Sequence, residues 1–310
     1  MRFPASNFTE KFTVVFAVGF GALIYLASGR SGHGFGLLAL NAGAAGIALF
    51  VLPKIRNARN SVTAFLGVAL PLLLFYVFYR ETAMLLQAPD TRWLDASVSR
   101  FETKLWRVGR GAPLPWLGEL LAFSYMSYVP LLVGATVILR SGSHAHAEAN
   151  VRRICMAWAI CYVISLICPV LGPRFLYPDL QASRLGSGIF SHLTQFNQQH
   201  NQLRGAAFPS AHAAATTAAF VSLWIWKRSW FWILLPLEAG LVIGAVYLGY
   251  HYIADIVAGL ATGVLVVLLD RLCMRPADPG GQTSLQPDRP RSAGCEDPME
   301  CTPADEVNPC

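Results

Sequence analysis

The sequence predicts an all-α fold, a multi-span transmembrane helical bundle of about eight spans with an interfacial amphipathic helix. Three observations predict it. Of the 310 residues 54% are hydrophobic and only 14% charged, too few charges to cover a soluble domain of this length. Apolar segments long enough to cross about 30 Å of hydrocarbon, at about 1.5 Å per residue, recur along the chain. Lys and Arg gather in the short connections between those segments, where they orient spans.

Taken in order, the apolar segments run 12–28, 35–53, 62–80, 116–139, 152–171, 209–226, 230–249 and 251–272. The first follows "MRFPASNFTEKF", which has the look of a signal peptide but no small-x-small cleavage pattern, so it reads as a span. Residues 1–60 then hold an N-terminal helix pair, 61–272 the main membrane domain, and 273–310 a tail. That tail is rich in Pro, Gly, Asp and Glu and too poor in large apolar residues to fold, so it reads as disordered. An N-terminus in the cytoplasm puts Lys54, Arg56, Arg59, Arg140, Arg152, Arg153, Lys227, Arg228, Arg271 and Arg275 on the cytoplasmic side, with both termini there. Two long loops, 81–115 and 172–208, then lie outside. In the first, Leu94, Val98, Phe101 and Leu105 recur at spacings of four, three and four among charged residues. This is the pattern of an amphipathic helix, either on the membrane surface or packed on the bundle.

The net charge of +6 has no basic tract suited to nucleic acid, so nucleic-acid partners are not expected. Seven cysteines form no metal-ligand spacing and no disulfide framework. His144 and His146 fall in a predicted cytoplasmic loop, away from the other candidates. A transporter needs ionisable residues at mid-membrane, and Glu119 and Glu238 are the ones to watch.

The stretch "RGAAFPSAHAAATTAAFVSLWIW" (204–226) opens a span with Ser210 and His212 in its first turn. "VYLGYHYIADIVAGLATG" (246–263) opens another with His251 and Asp255. Two crossings separate His212 from His251, so both emerge on one membrane face, and Arg174 in "CPVLGPRF" emerges there too. A lone histidine at a span end is ordinarily an interfacial residue; the shared face is what points to chemistry. His251 and Asp255, four apart, share a helix face, where the carboxylate can fix the imidazole tautomer and leave the other nitrogen free. Pro209 suits a first helical position. The N–H groups behind it, with the Ser210 hydroxyl, make an anion cradle. Two histidines, a carboxylate and an arginine around an anion cradle suit phosphoryl transfer through a phosphohistidine.

These residues also carry a resemblance. "FPSAH" followed by "VYLGYHYIADIVAG" resembles the type 2 phosphatidic acid phosphatase superfamily, whose motifs are K-x6-R-P, P-S-G-H and S-R-x5-H-x3-D. "WLDASVSRFETKLW", "ELLAFSYMSYVPLL" and "GPRF" resemble the branch containing the inositol phosphorylceramide synthases. The resemblance covers residues 62–272 and implies a six-helix phosphatase core. It makes His251 the nucleophile, Asp255 its orienting partner, His212 the acid for the leaving oxygen, and Ser210 and Arg174 phosphate ligands. It implies no cofactor and no metal, a lipid phosphate substrate, and water or an alcohol such as inositol or a lipid hydroxyl as acceptor. The active site would face the extracytoplasmic side of the cell membrane.

Three positions depart from the motifs. Ala211 replaces glycine, Ala245 stands where arginine is expected, and Ile167 stands where lysine is expected. Arg204 is the first candidate to replace the missing charge, and Arg184 a second. The chain thus reads as a lipid phosphatase or phosphotransferase, alternatively an inositol phosphorylceramide synthase-like transferase. A reading of another class is a non-catalytic lipid-binding member. A soluble haloperoxidase shares the motifs but not the apolar spans.

Overall fold

The computed structural model describes residues 7–28, 32–87, 91–108, 114–200 and 204–274. The tail from 275 onward, read above as disordered, lies outside the described residues. Within Met1–Cys273, which form one compact unit, every regular element among the described residues is helical.

α1 (Phe8–Ser28) opens on a reciprocal cap, in which the Asn7 amide donates to Glu10 Oε2 at 2.7 Å and the Glu10 amide to Asn7 Oδ1 at 2.9 Å. Such a pair satisfies two donors that a helix start leaves open. α2 (Gly32–Gly46) runs through a π-helical stretch, Ile47–Val51, into α3 (Leu52–Arg56). α4 (Ser61–Leu85) is capped by Asn60, whose side chain accepts from the amides of Val62 and Thr63. A phenylalanine stack locks α1 to α4: Phe12 lies 6.1 Å from Phe75, and Phe16 lies 5.3 Å from both Phe75 and Phe78.

The apolar segment expected to cross once at 116–139 is two helices, α6 (Pro115–Met126) and α7 (Tyr128–Arg140), bent by 49°. The break follows from Pro130, which has no N–H for the carbonyl of Met126 and whose ring crowds it. α5 (Asp95–Val108) precedes this pair. α8 (His144–Ile167) follows it and is the most enclosed of the long helices. Short helices α9 (Pro173–Leu176), α10 (Pro178–Arg184) and α11 (Ile189–His200) cross the site end of the bundle. α12 (Ala211–Trp226), α13 (Arg228–Tyr247) and α14 (Ile253–Cys273) complete it.

Six described helices are long and apolar enough to cross a membrane, seven if the bent pair counts as one span. The expected eighth, α12, has only 16 residues. It packs between α8 and α14, and its first ten residues include eight that are buried. The large apolar side chains left uncovered, such as Leu26, Leu73, Ile167 and Leu272, are 60–76% exposed. A water-soluble surface does not carry so many, and lipid is the solvent that suits them.

The cationic residues between spans gather at one end. Arg56 pairs with Glu10 and Glu148, and Arg152 and Arg153 both reach Asp270. Arg153 also lies over the ring of Trp226, at the last residue of α12. His212 and His251 lie at the other end.

Candidate active site

α12 and α14 touch backbone to backbone. A Cβ on Gly259 would lie 2.5 Å from the carbonyl of Ser210, and one on Gly263 would lie 2.5 Å from that of Ala214. Small residues four apart let membrane helices approach this closely, and the approach brings the two helix starts together. The Ser210 amide donates to the carbonyl of Asp255 at 2.9 Å.

Ser210 caps α12, its hydroxyl accepting from the Ala213 amide at 3.3 Å. The helix therefore starts at Ala211, and Pro209 stands before the cap, joined to Phe208 by a cis peptide bond. This corrects the expectation that Pro209 fills the first helical position. Ser210 is fully buried, with its hydroxyl turned to its own helix start.

His251 sits two residues ahead of α14, in the turn from Leu248 to Tyr252, not on the helix as its spacing from Asp255 suggested. Gly249 makes that turn possible at φ 74°, a region that favours glycine. The amides of Tyr250 and His251 both donate to the carbonyl of Ala245. The Nδ1 atom of His251 lies 2.9 Å from the carbonyl oxygen of Ala207 and 3.5 Å from Asp255 Oδ2. A carbonyl only accepts, so the hydrogen-bond network assigns the proton to Nδ1 and the lone pair to Nε2. Asp255 is fully buried, and its Oδ2 accepts from the Tyr252 amide at 2.8 Å while Oδ1 has no hydrogen-bond partner. Burial, and after it the charge of Arg174, holds the His251 imidazole below its usual value, at about 4, against the upward pull of the Ala207 carbonyl. The ring is neutral at neutral pH.

The His212 ring lies 5.7 Å from that of His251, centroid to centroid and edge to face. It is also walled by Tyr128 at 4.3 Å and Tyr125 at 5.3 Å. Tyr125 stacks flat on Tyr250 at 4.2 Å, and the Tyr128 hydroxyl accepts from Trp158 Nε1 at 2.7 Å. The Gln198 amide of α11 donates to the Tyr250 hydroxyl.

Arg174 joins the same group. Its amide donates to the carbonyl of Gly249 at 2.7 Å, and its guanidinium lies 5.2 Å from the centre of the Tyr250 ring and 4.5 Å from that of Phe175. Arg204 reaches the same Phe175 ring, at 5.9 Å. Arg184 is turned elsewhere: it is buried and donates to the carbonyl of Tyr247, at the end of α13, at 2.7 Å. Ala245, where the superfamily motif has arginine, is fully buried against Ala213 and Ile256 beneath Tyr125. The geometry therefore brings together His212, His251, Asp255, Ser210, Arg174 and Arg204, and it leaves Arg184 as a helix-end ligand.

Two residues missed by sequence reasoning hold this cluster from outside. Asp95 accepts from the amides of Leu171 and Gly172, at 2.8 and 3.0 Å. Glu102 accepts from the amides of Ile253 and Ala254, at 2.8 and 2.5 Å, capping α14 just after His251. Both are buried. They stand seven apart on α5, two helical turns on one face, so this amphipathic helix is docked on the bundle by its acids as well as by Val98. The signal was present as acids at i and i+7, but such acids ordinarily mark a wet face.

Among the described residues no group of three or more His, Cys, Asp or Glu is placed to hold a metal ion. His144 pairs with Glu148, and His146 stacks on Trp226, at the end of the bundle away from this site. Glu119 caps α11 through the amides of Phe190 and Ser191.

The fold and site define an all-helical membrane protein with two facing histidines at a helix start, flanked by arginines. The family comparison agrees: the profile of the PAP2 superfamily matches residues 101–269, and the chain belongs to that superfamily. Neither the curated proteins nor the solved structures offer a significant match.

Proposed function

We propose that this chain is a lipid phosphatase or phosphotransferase that cleaves a phosphate ester or anhydride through a phosphohistidine on His251. Membership of the superfamily supports phosphatase-type activity on lipid phosphates in general. The observation that carries the finer reading is the His251 ring, held at Nδ1 by the Ala207 carbonyl with Asp255 behind it, and facing His212.

In this reading Nε2 attacks phosphorus, an N–P bond forms, and the bond to the lipid oxygen breaks. His212, protonated when the anionic phosphate is bound, gives its proton to that oxygen, a contribution worth about 10²–10⁴-fold. Water then attacks phosphorus, returns a proton to His212, and frees His251. Asp255 balances the positive charge that the His251 ring carries while phosphorylated. Arg174, Arg204 and the cap at Ser210 meet the phosphate oxygens. None of these steps uses a metal.

The second reading replaces water with an alcohol such as inositol or a lipid hydroxyl. The amide-rich face of α11, whose Gln198 reaches Tyr250 beside the site, favours it. The cationic residues at the opposite end of the bundle support a site facing the extracytoplasmic side, with both termini cytoplasmic.

The test is product analysis with detergent-purified protein, lipid phosphates, diphosphates and phosphoinositol lipids, with and without inositol or diacylglycerol. Free phosphate lost in His251→Ala establishes a hydrolase. A new head-group lipid formed only with acceptor establishes a transferase. Turnover equal in mutant and wild type, or absent from both, overturns the nucleophile and leaves the non-catalytic lipid-binding reading.

A further inference from the structure

We propose that the end of the bundle opposite His212 and His251 carries a second lipid site, one that holds the anionic headgroup of a phospholipid between Arg228 and Arg271. A concavity of about 470 Å³ lies there, lined by Trp224, Ile225, Trp226, Arg228 and Arg271. Trp224 and Trp226 close α12, Arg228 opens α13 and Arg271 lies in the last turn of α14, so three helix ends meet at its rim. None of the five residues is part of the histidine cluster, which sits at the far end of α12.

Charge separates this place from an ordinary cationic loop. Arginines at span ends are common because they orient spans, and some are neutralised by an acid. Arg152 and Arg153 both share Asp270, at 2.5 and 2.7 Å. Arg228 and Arg271 form no ion pair among the described residues, although Asp270 is the neighbour of Arg271.

The Arg228 guanidinium lies 4.0 Å from the centre of the Trp224 ring. Stacking fixes the plane of a guanidinium and leaves its N–H edge for a phosphate, which it can grip with two parallel bonds. Indole rings sit at headgroup depth in a bilayer. About a turn deeper, Ile233 and Leu268 are 62% and 52% exposed and offer a path for acyl chains. A basic pocket between span ends, rimmed by tryptophan and continued by bare apolar surface, is the chemistry of anionic-lipid recognition.

The experiment measures binding of phosphatidylglycerol, against phosphatidylcholine, to the full chain in detergent, by native mass spectrometry and by thermal stabilisation. Glycerol 3-phosphate alone is the soluble arm. Wild type is expected to bind phosphatidylglycerol at least ten-fold more tightly than phosphatidylcholine. Arg228→Ala/Arg271→Ala is expected to lose that preference, and Arg174→Ala to keep it. Arg228→Lys/Arg271→Lys keeps the charge without the stacked fork and is expected to fall between, and it serves if the alanine pair does not fold. Loss of the preference in Arg174→Ala but not in the Arg228/Arg271 variants would place the lipid at the histidine site and overturn the proposal. Equal binding of glycerol 3-phosphate would overturn the lipid as ligand. Because none of these readouts depends on turnover, failure of the catalytic reading would leave them unchanged.

Discussion

Replacing Glu102 tests whether a helix docked beside the histidine cluster sets the geometry of the proposed reaction. Its carboxylate is 1% exposed and accepts from two amides, at 2.8 and 2.5 Å, in the first turn of α14. A hydrogen bond to a charged group is worth about 1.5–3 kcal/mol, and a negative charge at a partly buried helix start adds up to about 2 kcal/mol. The two bonds share one group and do not add in full. Glu102→Ala should therefore cost about 3–5 kcal/mol, while Glu102→Gln, which keeps one acceptor and turns an amide donor toward the other N–H, should cost about 2–3 kcal/mol. His251 lies two residues before the capped turn, and a misplacement of about 1 Å at a reacting group can cost about 10²-fold. Thermal unfolding in detergent should rank wild type above Glu102→Gln above Glu102→Ala. Steady-state kinetics should show kcat falling by about 10–100-fold in Glu102→Ala with KM little changed. Wild-type unfolding and wild-type kcat in Glu102→Ala would refute the capping role. A rise in KM at constant kcat would instead make Glu102 a substrate contact.

Three further predictions follow from the same contacts. Arg204→Ala should raise KM by about ten-fold, the worth of one exposed charge-assisted contact, with kcat less affected; an unchanged KM means that Arg204 does not reach phosphate. Tyr128→Phe leaves the buried Trp158 N–H without its acceptor and should cost about 1–3 kcal/mol, read by thermal unfolding against Tyr128→Trp as a second probe of the wall beside His212. The folded-state value of His251, about 4, lies below its ordinary 6.5, so its contribution to stability is complete above about pH 6.5 and is lost as pH falls through about 4. Unfolding profiles should show wild type losing about 3 kcal/mol more than His251→Gln between pH 7 and pH 4, and parallel profiles would show that the folded protein does not hold this ring neutral.

How much of this was legible in the sequence depended on whether side chains or backbone did the work. Spans were legible because lipid requires long apolar runs, and the meeting of His212 with His251 followed from counting crossings. The bend near Ser127 was signalled by Pro130 but lost within an unbroken apolar run. α12 read as a full span because the apolar run began at Pro209, whereas the cap at Ser210 fixes the helix start. The nearer partner of His251 Nδ1 is a main-chain carbonyl, and no residue type announces where a carbonyl points. Tyr125 and Tyr128 lie within an apolar segment, and nothing in their spacing separates a wall around a histidine from a face turned to lipid. Asp95 and Glu102 were hidden for the opposite reason, because charged residues on a loop helix ordinarily face water.

The shortness of α12 bears on the depth at which the proposed chemistry would take place. Sixteen residues at about 1.5 Å each give about 24 Å, some 6 Å less than the hydrocarbon of an average bilayer. Tryptophans hold the far end at the headgroup level, so the shortfall falls on the end that bears His212. In the proposed reading the imidazoles would then lie a few ångströms inside the hydrocarbon edge of their own leaflet. A phospholipid would reach them by drifting sideways and dipping, with its tails still solvated by their neighbours, and the membrane would never have to release it.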